Sequence, residues 1–216
     1  MAKILITSGP TRQYLDPVRY LTNASSGRMG AALADSALRA GHAVTIVTGP
    51  VSIEYPSEAK TLWVTTTQEM LDTVQQIFPS HNGLIGAAAP CDYMPRKILS
   101  EKISKDGRPL QLELIETPDV VATAAASRLG HQWVVGFALE TDDRRFRSIV
   151  KMQKKCCDLM VSNGPTAIDS PHNEVEIIDS DGNTLAQVAG TKSQVADAIL
   201  HWIQVQLISR YTGVKS

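Results

Sequence analysis

The feature that most constrains this chain is its rhythm. Short apolar, β-branched runs alternate with longer stretches of helical spacing. Lys3–Ser8, Ala43–Thr48 and residues 83–88, 133–138 and 159–162 are nearly continuous in apolar residues, as strands covered on both faces must be. Between them lie three helical stretches. Residues 30–40 are Ala/Leu-rich and closed by Gly41. Residues 66–78 place Met70, Val74 and Ile77 on one side, with Thr67 at the N-cap position. Residues 142–155 are highly charged. This alternation predicts an α/β fold: a doubly wound, mostly parallel, Rossmann-like sheet with right-handed crossovers.

Two regions break the rhythm. Residues 93–115 are rich in Lys, Pro and Gly, then alternate in Leu110-Gln-Leu-Glu-Leu-Ile115. They predict a flap with a β-ribbon, and long excursions of this kind are often functional lids. Near the end, residues 174–179 and 184–189 flank Ser180-Asp-Gly-Asn183, a good hairpin turn. A last helix over 193–211 carries Val195, Ile199, Trp202 and Ile203 as core residues. No linker or repeat divides the chain, so residues 1–216 are expected to form a single domain.

Composition narrows the function classes. With 21 basic and 22 acidic residues, the net charge of -1 excludes a general nucleic-acid binder. Three cysteines, two of them adjacent, do not make a disulfide framework. The five histidines have no cysteine at zinc-ligand spacing. Neither a signal peptide nor a long apolar span is evident, so no membrane association and a cytoplasmic location are expected.

Ligands in open α/β sheets bind at the carboxyl ends of the strands. The first such end runs Thr7-Ser-Gly-Pro-Thr-Arg12 and leads to Asn23-Ala-Ser-Ser-Gly-Arg-Met-Gly30. Ser25, Ser26 and Gly27 stand just before the first helix, where backbone N–H groups and small hydroxyls suit an anion. Arg12, Arg19 or Arg28 could add charge-assisted bonds. The plainer reading is an N-cap and a loop. No G-x-G-x-x-G follows the first strand, no acidic residue follows the second, and no G-x-x-x-x-G-K-[ST] occurs. A nicotinamide dehydrogenase and a P-loop enzyme are therefore disfavoured.

The third strand ends Gly86-Ala-Ala-Ala-Pro-Cys-Asp92. Its small residues let a flat ligand approach the backbone, and Asp92 is a candidate ligand for a cation or a sugar, or simply a loop cap. Cys91, with no histidine at a recognisable spacing, reads as a packing residue. Lys97, Lys102 and Lys105 on the flap are either solvated or include one that folds onto phosphate charge. Lys151, Lys154 and Lys155 near a helix end suit the helix dipole and could also reach a triphosphate. Phe137 and Glu140 are placed to stack on or orient a ligand.

Taken together, these segments resemble phosphopantothenoylcysteine synthetase, the ligase part of the bacterial coenzyme A flavoproteins. The likeness rests on Asp16-Pro-Val-Arg19, Asn23-x-Ser-Ser-Gly-Arg-Met-Gly30, Ala87-Ala-x-x-x-Asp-Tyr93, Glu101-Lys-Ile-x-Lys105, Thr117-Pro-Asp-Val-Val121, Val135-Gly-Phe-Ala-x-Glu-Thr141 and Asp158-Leu-x-x-x-Asn163, in that order. It covers nearly the whole chain.

The resemblance implies a ligase that activates 4′-phosphopantothenate with CTP (ATP in some relatives) as an acyl-nucleotidylate, then transfers the acyl group to L-cysteine. It implies Asn23 as the residue holding the activated acyl group and Lys102 as the flap cation on the α-phosphate. A nucleotide site is implied at Gly9, Ser25, Ser26, Gly27, Gly86, Ala87, Ala88 and Asp92. The base or ribose pocket would be Pro118, Asp119, Val120 and Val121, completed by Phe137, Lys151 and Lys155. Arg19 joins Asn23 in the substrate site. Mg²⁺ is expected, with Asp92 its possible ligand, and the family forms homodimers. The flavin-dependent decarboxylase part is absent from this sequence, so no FMN and a separate phosphopantothenoylcysteine decarboxylase are expected. The competing reading is a non-catalytic nucleotide-binding homologue of the same fold.

Overall fold

The computed structural model describes residues 1–140, 142–164 and 172–209. Its centre is an eight-stranded sheet. Six strands are parallel: β1 (Lys3–Ser8), β4 (Ala43–Thr48), β5 (Lys60–Trp63), β6 (Gly83–Gly86), β9 (Trp133–Leu139) and β10 (Leu159–Asn163). The hairpin β11 (His172–Asp179) and β12 (Thr184–Thr191) is added antiparallel to β10. The spatial order is β12-β11-β10-β9-β6-β1-β4-β5. All five strands expected from apolar continuity are there, and they are neighbours in the middle of the sheet, where both faces are covered.

The helices divide between those faces. α1 (Arg28–Arg39) and α5 (Lys192–Ile203) bury Leu33, Ala34, Ala37, Val195 and Ile199 against one. α2 (Thr67–Ile77), α3 (Val120–Ala126) and α4 (Arg144–Lys154) bury Met70, Val74, Ala124 and Met152 against the other. Strands covered this way lose water from both sides, which is the main favourable term of such a fold.

Two short ribbons stand outside the sheet. β2 (Arg12–Tyr14) pairs with β3 (Tyr20–Thr22), and β7 (Tyr93–Pro95) pairs with β8 (Leu114–Glu116). The second is the base of the expected flap. The regular ladder takes only the last part of the alternating run, and Leu110 and Leu112 stay exposed. β5 and α3 were not anticipated. The N-cap of α2 is Thr66, one residue before the expected Thr67. The Thr66 hydroxyl accepts from Glu69 N, and the Glu69 carboxylate accepts from the Thr66 N–H, a reciprocal capping box. Thr67 instead turns inward to Thr11, Gln13 and the Cys91 carbonyl. The last helix is regular to Ile203 and continues as a wider π-type turn over Gln204–Ile208; the expected end at 211 lies outside the described residues.

Candidate active site

The site is built on the carboxyl end of β1. Gly9 follows the strand at φ +69° and Gly27 precedes α1 at φ +75°, backbone conformations that favour glycine. Between them the chain makes the β2–β3 ribbon and returns, so that α1 starts directly over Ser8. The Ser8 hydroxyl donates to the Gly27 carbonyl at 3.2 Å and accepts from Tyr55 OH at 2.9 Å. Gly30 makes this seat possible, because a Cβ there would lie 2.1 Å from Ser8 Oγ. No side chain caps the start of α1, and its first turn has no acidic residue. Its N-terminal N–H groups and the positive end of its dipole therefore face the carboxyl edge without a protein carboxylate.

A cleft of about 500 Å³ opens there, within the size range of small-molecule sites. Asn23, Ser25, Ser26 and Gly27 line it from the α1 side. Ala87, Ala88 and Asp92 line it where β6 ends, Phe137 from β9, and Lys151 and Lys155 from α4. The amide nitrogen of Asn23 donates to the Pro90 carbonyl at 2.9 Å, which ties the two walls together. Ala87 and Ala88 have left the strand, which ends at Gly86, and their N–H groups point to the Thr7 carbonyl and hydroxyl. Gly9 does not line the cleft; its carbonyl accepts from Ala89 N beneath the floor.

The remaining expected nucleotide residues do not line the cleft. Asp119 caps α3, accepting from Ala122 N at 3.0 Å. Pro118 precedes it, and Val120 is buried in the core. Val121 packs on Gly86 so closely that a Cβ there would be 2.5 Å from Val121 Cγ2. None of Pro118, Asp119, Val120, Val121 and Gly86 lines the cleft itself.

Both lysines meet carboxylates. Lys151 Nζ lies 2.5 Å from Glu140 Oε1 and Lys155 Nζ 3.1 Å from Asp119 Oδ2. The Glu140 contact is an ion pair without hydrogen-bond alignment, and that buried oxygen has no other partner among the described residues. The two lysines thus bring little net positive charge to the free cleft. Among the described residues no three His, Cys, Asp or Glu side chains gather to hold a metal. A Mg²⁺ arriving with a triphosphate needs only one or two protein carboxylates, and exposed Asp92 at the cleft fits that smaller role.

Arg19 and Lys102 lie apart from the lining residues. Asp16, fully buried, accepts from Val18 N, Arg19 N, Ile103 N and Arg19 Nη1. Burial alone would raise its pKa, but these donors outweigh burial and hold the carboxyl far below the usual carboxylate range. Arg19 Nη1 also donates to the Ile103 carbonyl at 3.1 Å. The flap is thus pinned at Ile103, one residue past exposed Lys102. Cys91 is a packing residue: its thiol donates to the Thr11 and Leu21 carbonyls, and burial pushes its pKa up. Sequence reasoning missed Asn173 and Lys192, which also line the cleft, and noted Asn163 only within a motif.

Residues 1–207 match the family model described as the DNA/pantothenate metabolism flavoprotein C-terminal domain. The chain is 38% identical over 207 residues to the coenzyme A biosynthesis bifunctional protein CoaBC of Vibrio vulnificus (strain CMCP6), covering 93% of this chain and 51% of that protein. It is 40% identical over 187 residues to CoaBC of Escherichia coli (strain K12), covering 83% of this chain and 46% of that protein. The chain therefore spans about half the length of these curated relatives. A crystal structure of a CoaBC C-terminal domain superposes with a TM-score of 0.82 at 32% identity, covering 96% of each chain. A Cab2 variant in complex with phosphopantothenate-cysteine shares the fold, with a TM-score of 0.79 at 18% identity, covering 98% of this chain and 87% of that one.

Proposed function

The chain belongs to the family of DNA/pantothenate metabolism flavoprotein C-terminal domains, and from that premise we propose that it is a ligase joining 4′-phosphopantothenate to L-cysteine in coenzyme A biosynthesis, with CTP or ATP as co-substrate. One observation carries the reading. Asn23, Ser25, Gly27, Phe137, Lys151 and Lys155, drawn from three distant stretches of sequence, line one cleft at the carboxyl edge. Relatives over the whole matched length are CoaBC proteins, and a protein of the same fold is known with phosphopantothenate-cysteine.

The reaction balances in two steps. The pantothenate carboxylate oxygen attacks the α-phosphorus of the nucleotide, forming the acyl-nucleotidylate, and the P–O bond to pyrophosphate breaks. The cysteine amine then attacks the acyl carbon and gives up a proton. The C–O bond to the nucleotide breaks, releasing CMP or AMP. The first step brings a carboxylate against a polyanion, so cations and oriented dipoles must offset the charge. The start of α1, with the N–H groups near Ser25, Ser26 and Gly27, supplies dipoles. Mg²⁺, when bound with the triphosphate, supplies Lewis-acid charge neutralisation, with Asp92 as its protein carboxylate. Lys102 folds from the flap onto the α-phosphate, and Arg19 joins Asn23 in the substrate site of a homodimer. Asn23 holds the acyl-nucleotidylate; a neutral amide can donate and accept without adding charge.

The test is pyrophosphate release from protein, Mg²⁺, 4′-phosphopantothenate and cysteine with CTP or ATP. Release with at least one nucleotide, and its loss in Lys102→Gln, is expected. Nucleotide binding without release would identify a non-catalytic homologue and sink the ligase reading.

A further inference from the structure

Among the described residues, the cleft contains one buried side-chain polar atom without a hydrogen-bond partner. Asn173, at the start of β11, is 6% exposed. Its amide nitrogen reaches Asn163 Oδ1 at 3.5 Å, the outer limit of a hydrogen bond. Its Oδ1 has no hydrogen-bond partner among the described residues. Both asparagines line the cleft. A buried amide oxygen without a donor destabilises the fold, and native proteins carry few. Sites that keep such a local cost tend to be functional.

The position of Asn173 points to a ligand. Strand side chains alternate between faces. Asn173 shares its face with Val175 and Ile177, and Asn163 shares its face with Leu159 and Val161, all in the core beside α1 and α5. Phe137 pairs with Val161 in register and packs on the same core. Phe137, Asn163 and Asn173 therefore share one face of β9, β10 and β11 in a diagonal: Asn163 stands opposite Leu139 and Val175, two residues nearer the carboxyl edge than Phe137, and Asn173 lies two residues beyond Val175. A pair of neutral amides suits an uncharged polar group, and an unfilled amide oxygen suits one that donates a hydrogen bond.

We propose that Asn173, oriented by Asn163, is a specificity residue that accepts a hydrogen bond from an uncharged N–H or O–H of a co-substrate in this cleft. The inference rests on the ligase reading for the identity of its ligands. Two sources carry that chemistry: the base amine or ribose hydroxyls of the nucleotide, and the hydroxyl or amide N–H of the acyl substrate.

The experiment measures, on the full chain, Kd for the nucleotide (CTP and ATP, each with Mg²⁺) and separately for 4′-phosphopantothenate, together with the Tm of the ligand-free protein. Asn173→Leu keeps the volume and removes the unanswered oxygen. Its free protein should melt above wild type, and one of the two ligands should bind about tenfold more weakly while the other is unchanged. The affected arm names the source. Asn163→Ala, which removes only the orienting partner, should weaken the same arm by a smaller factor. If Asn173→Leu fails to fold, Asn173→Ala takes its place with the same expected loss. Unchanged affinity for both ligands, or equal loss of both with a lowered Tm, overturns the proposal. Failure of the wild type to bind either ligand would instead sink the ligase reading itself.

Discussion

Lys151→Met strands a buried charge. The Glu140 side chain is 7% exposed and its Oε1 faces Lys151 Nζ at 2.5 Å, whereas Lys151 is 46% exposed. At an effective dielectric of about 20 the bare attraction across that distance is about 6–7 kcal/mol, most of it offset by the desolvation of the carboxylate. Removing one partner of a fully buried pair costs about 3–5 kcal/mol. Lys151 is half in water, and screening reduces the loss to about 1–2 kcal/mol. In a chain of this size each kcal/mol moves Tm by about 2–4 °C, so Lys151→Met should melt roughly 2–8 °C below wild type. Glu140→Gln in the same background removes the stranded charge and should recover most of that fall. The pair also predicts binding. In the free protein Glu140 neutralises Lys151, so Glu140→Gln alone should tighten Mg-nucleotide binding a few-fold in calorimetric titration, and Lys151→Met should weaken it. A Lys151→Met protein melting within about 1 °C of wild type, or no recovery in the double variant, would show that Glu140 does not depend on this lysine.

Gly30→Ala drives a Cβ to 2.1 Å from Ser8 Oγ and 2.5 Å from Ser8 Cβ; the overpacking outweighs alanine's helix propensity, and urea unfolding should show a loss of about 1–2 kcal/mol. His42 accepts the Ala2 N–H on Nδ1, and burial, helped by the N-terminal charge, lowers its pKa; burial likewise lowers that of His81. Folded-state pKa values below the unfolded value mean that this stability is complete above about pH 6.5 and is lost below it, at up to about 1.4 kcal/mol per pH unit for each histidine. Tm should therefore be flat from about pH 8 to 7 and fall from about 6.5 to 5.5, less steeply in His42→Gln. Burial pushes the Cys157 thiol up to about 12 and also raises Cys91, whereas Cys156 is exposed; an aromatic disulfide reagent at neutral pH should label only Cys156 in the native protein, and all three after unfolding. If Asp16 serves the reaction by pinning the flap beside Lys102, Asp16→Asn should slow pyrophosphate release, yet add nothing to the loss in Lys102→Gln. Additive losses would separate Asp16 from the lysine.

Legibility in the sequence followed the range over which each feature is determined. β1, β4, β6, β9 and β10 are covered on both faces, so their apolar runs declare them. β5 is an edge strand that leaves Trp63 59% exposed, and no run or alternation marks it. α3 has seven residues, too few for a helical period to register against its opening valines. The α1 side of the cleft was readable because it is local: a strand end, two glycines and a helix start lie within thirty residues. The choice of Thr66 over Thr67 as cap is local too, since Glu69 stands three residues after Thr66 and closes the capping box with it, while Thr67 is drawn inward by Thr11 and Gln13. Asn173 shows where local reading must stop. In sequence it is one polar residue ahead of a strand. It enters the cleft only because β11 runs antiparallel to β10, which brings the start of β11 to the carboxyl edge of the parallel strands. The same hairpin places the end of β12, and with it Lys192 at the start of α5, on that edge. An antiparallel pair added to a parallel sheet therefore extends the ligand-binding edge by two strands, and residues there acquire contact with the cleft from pairing rather than from any pattern of their own.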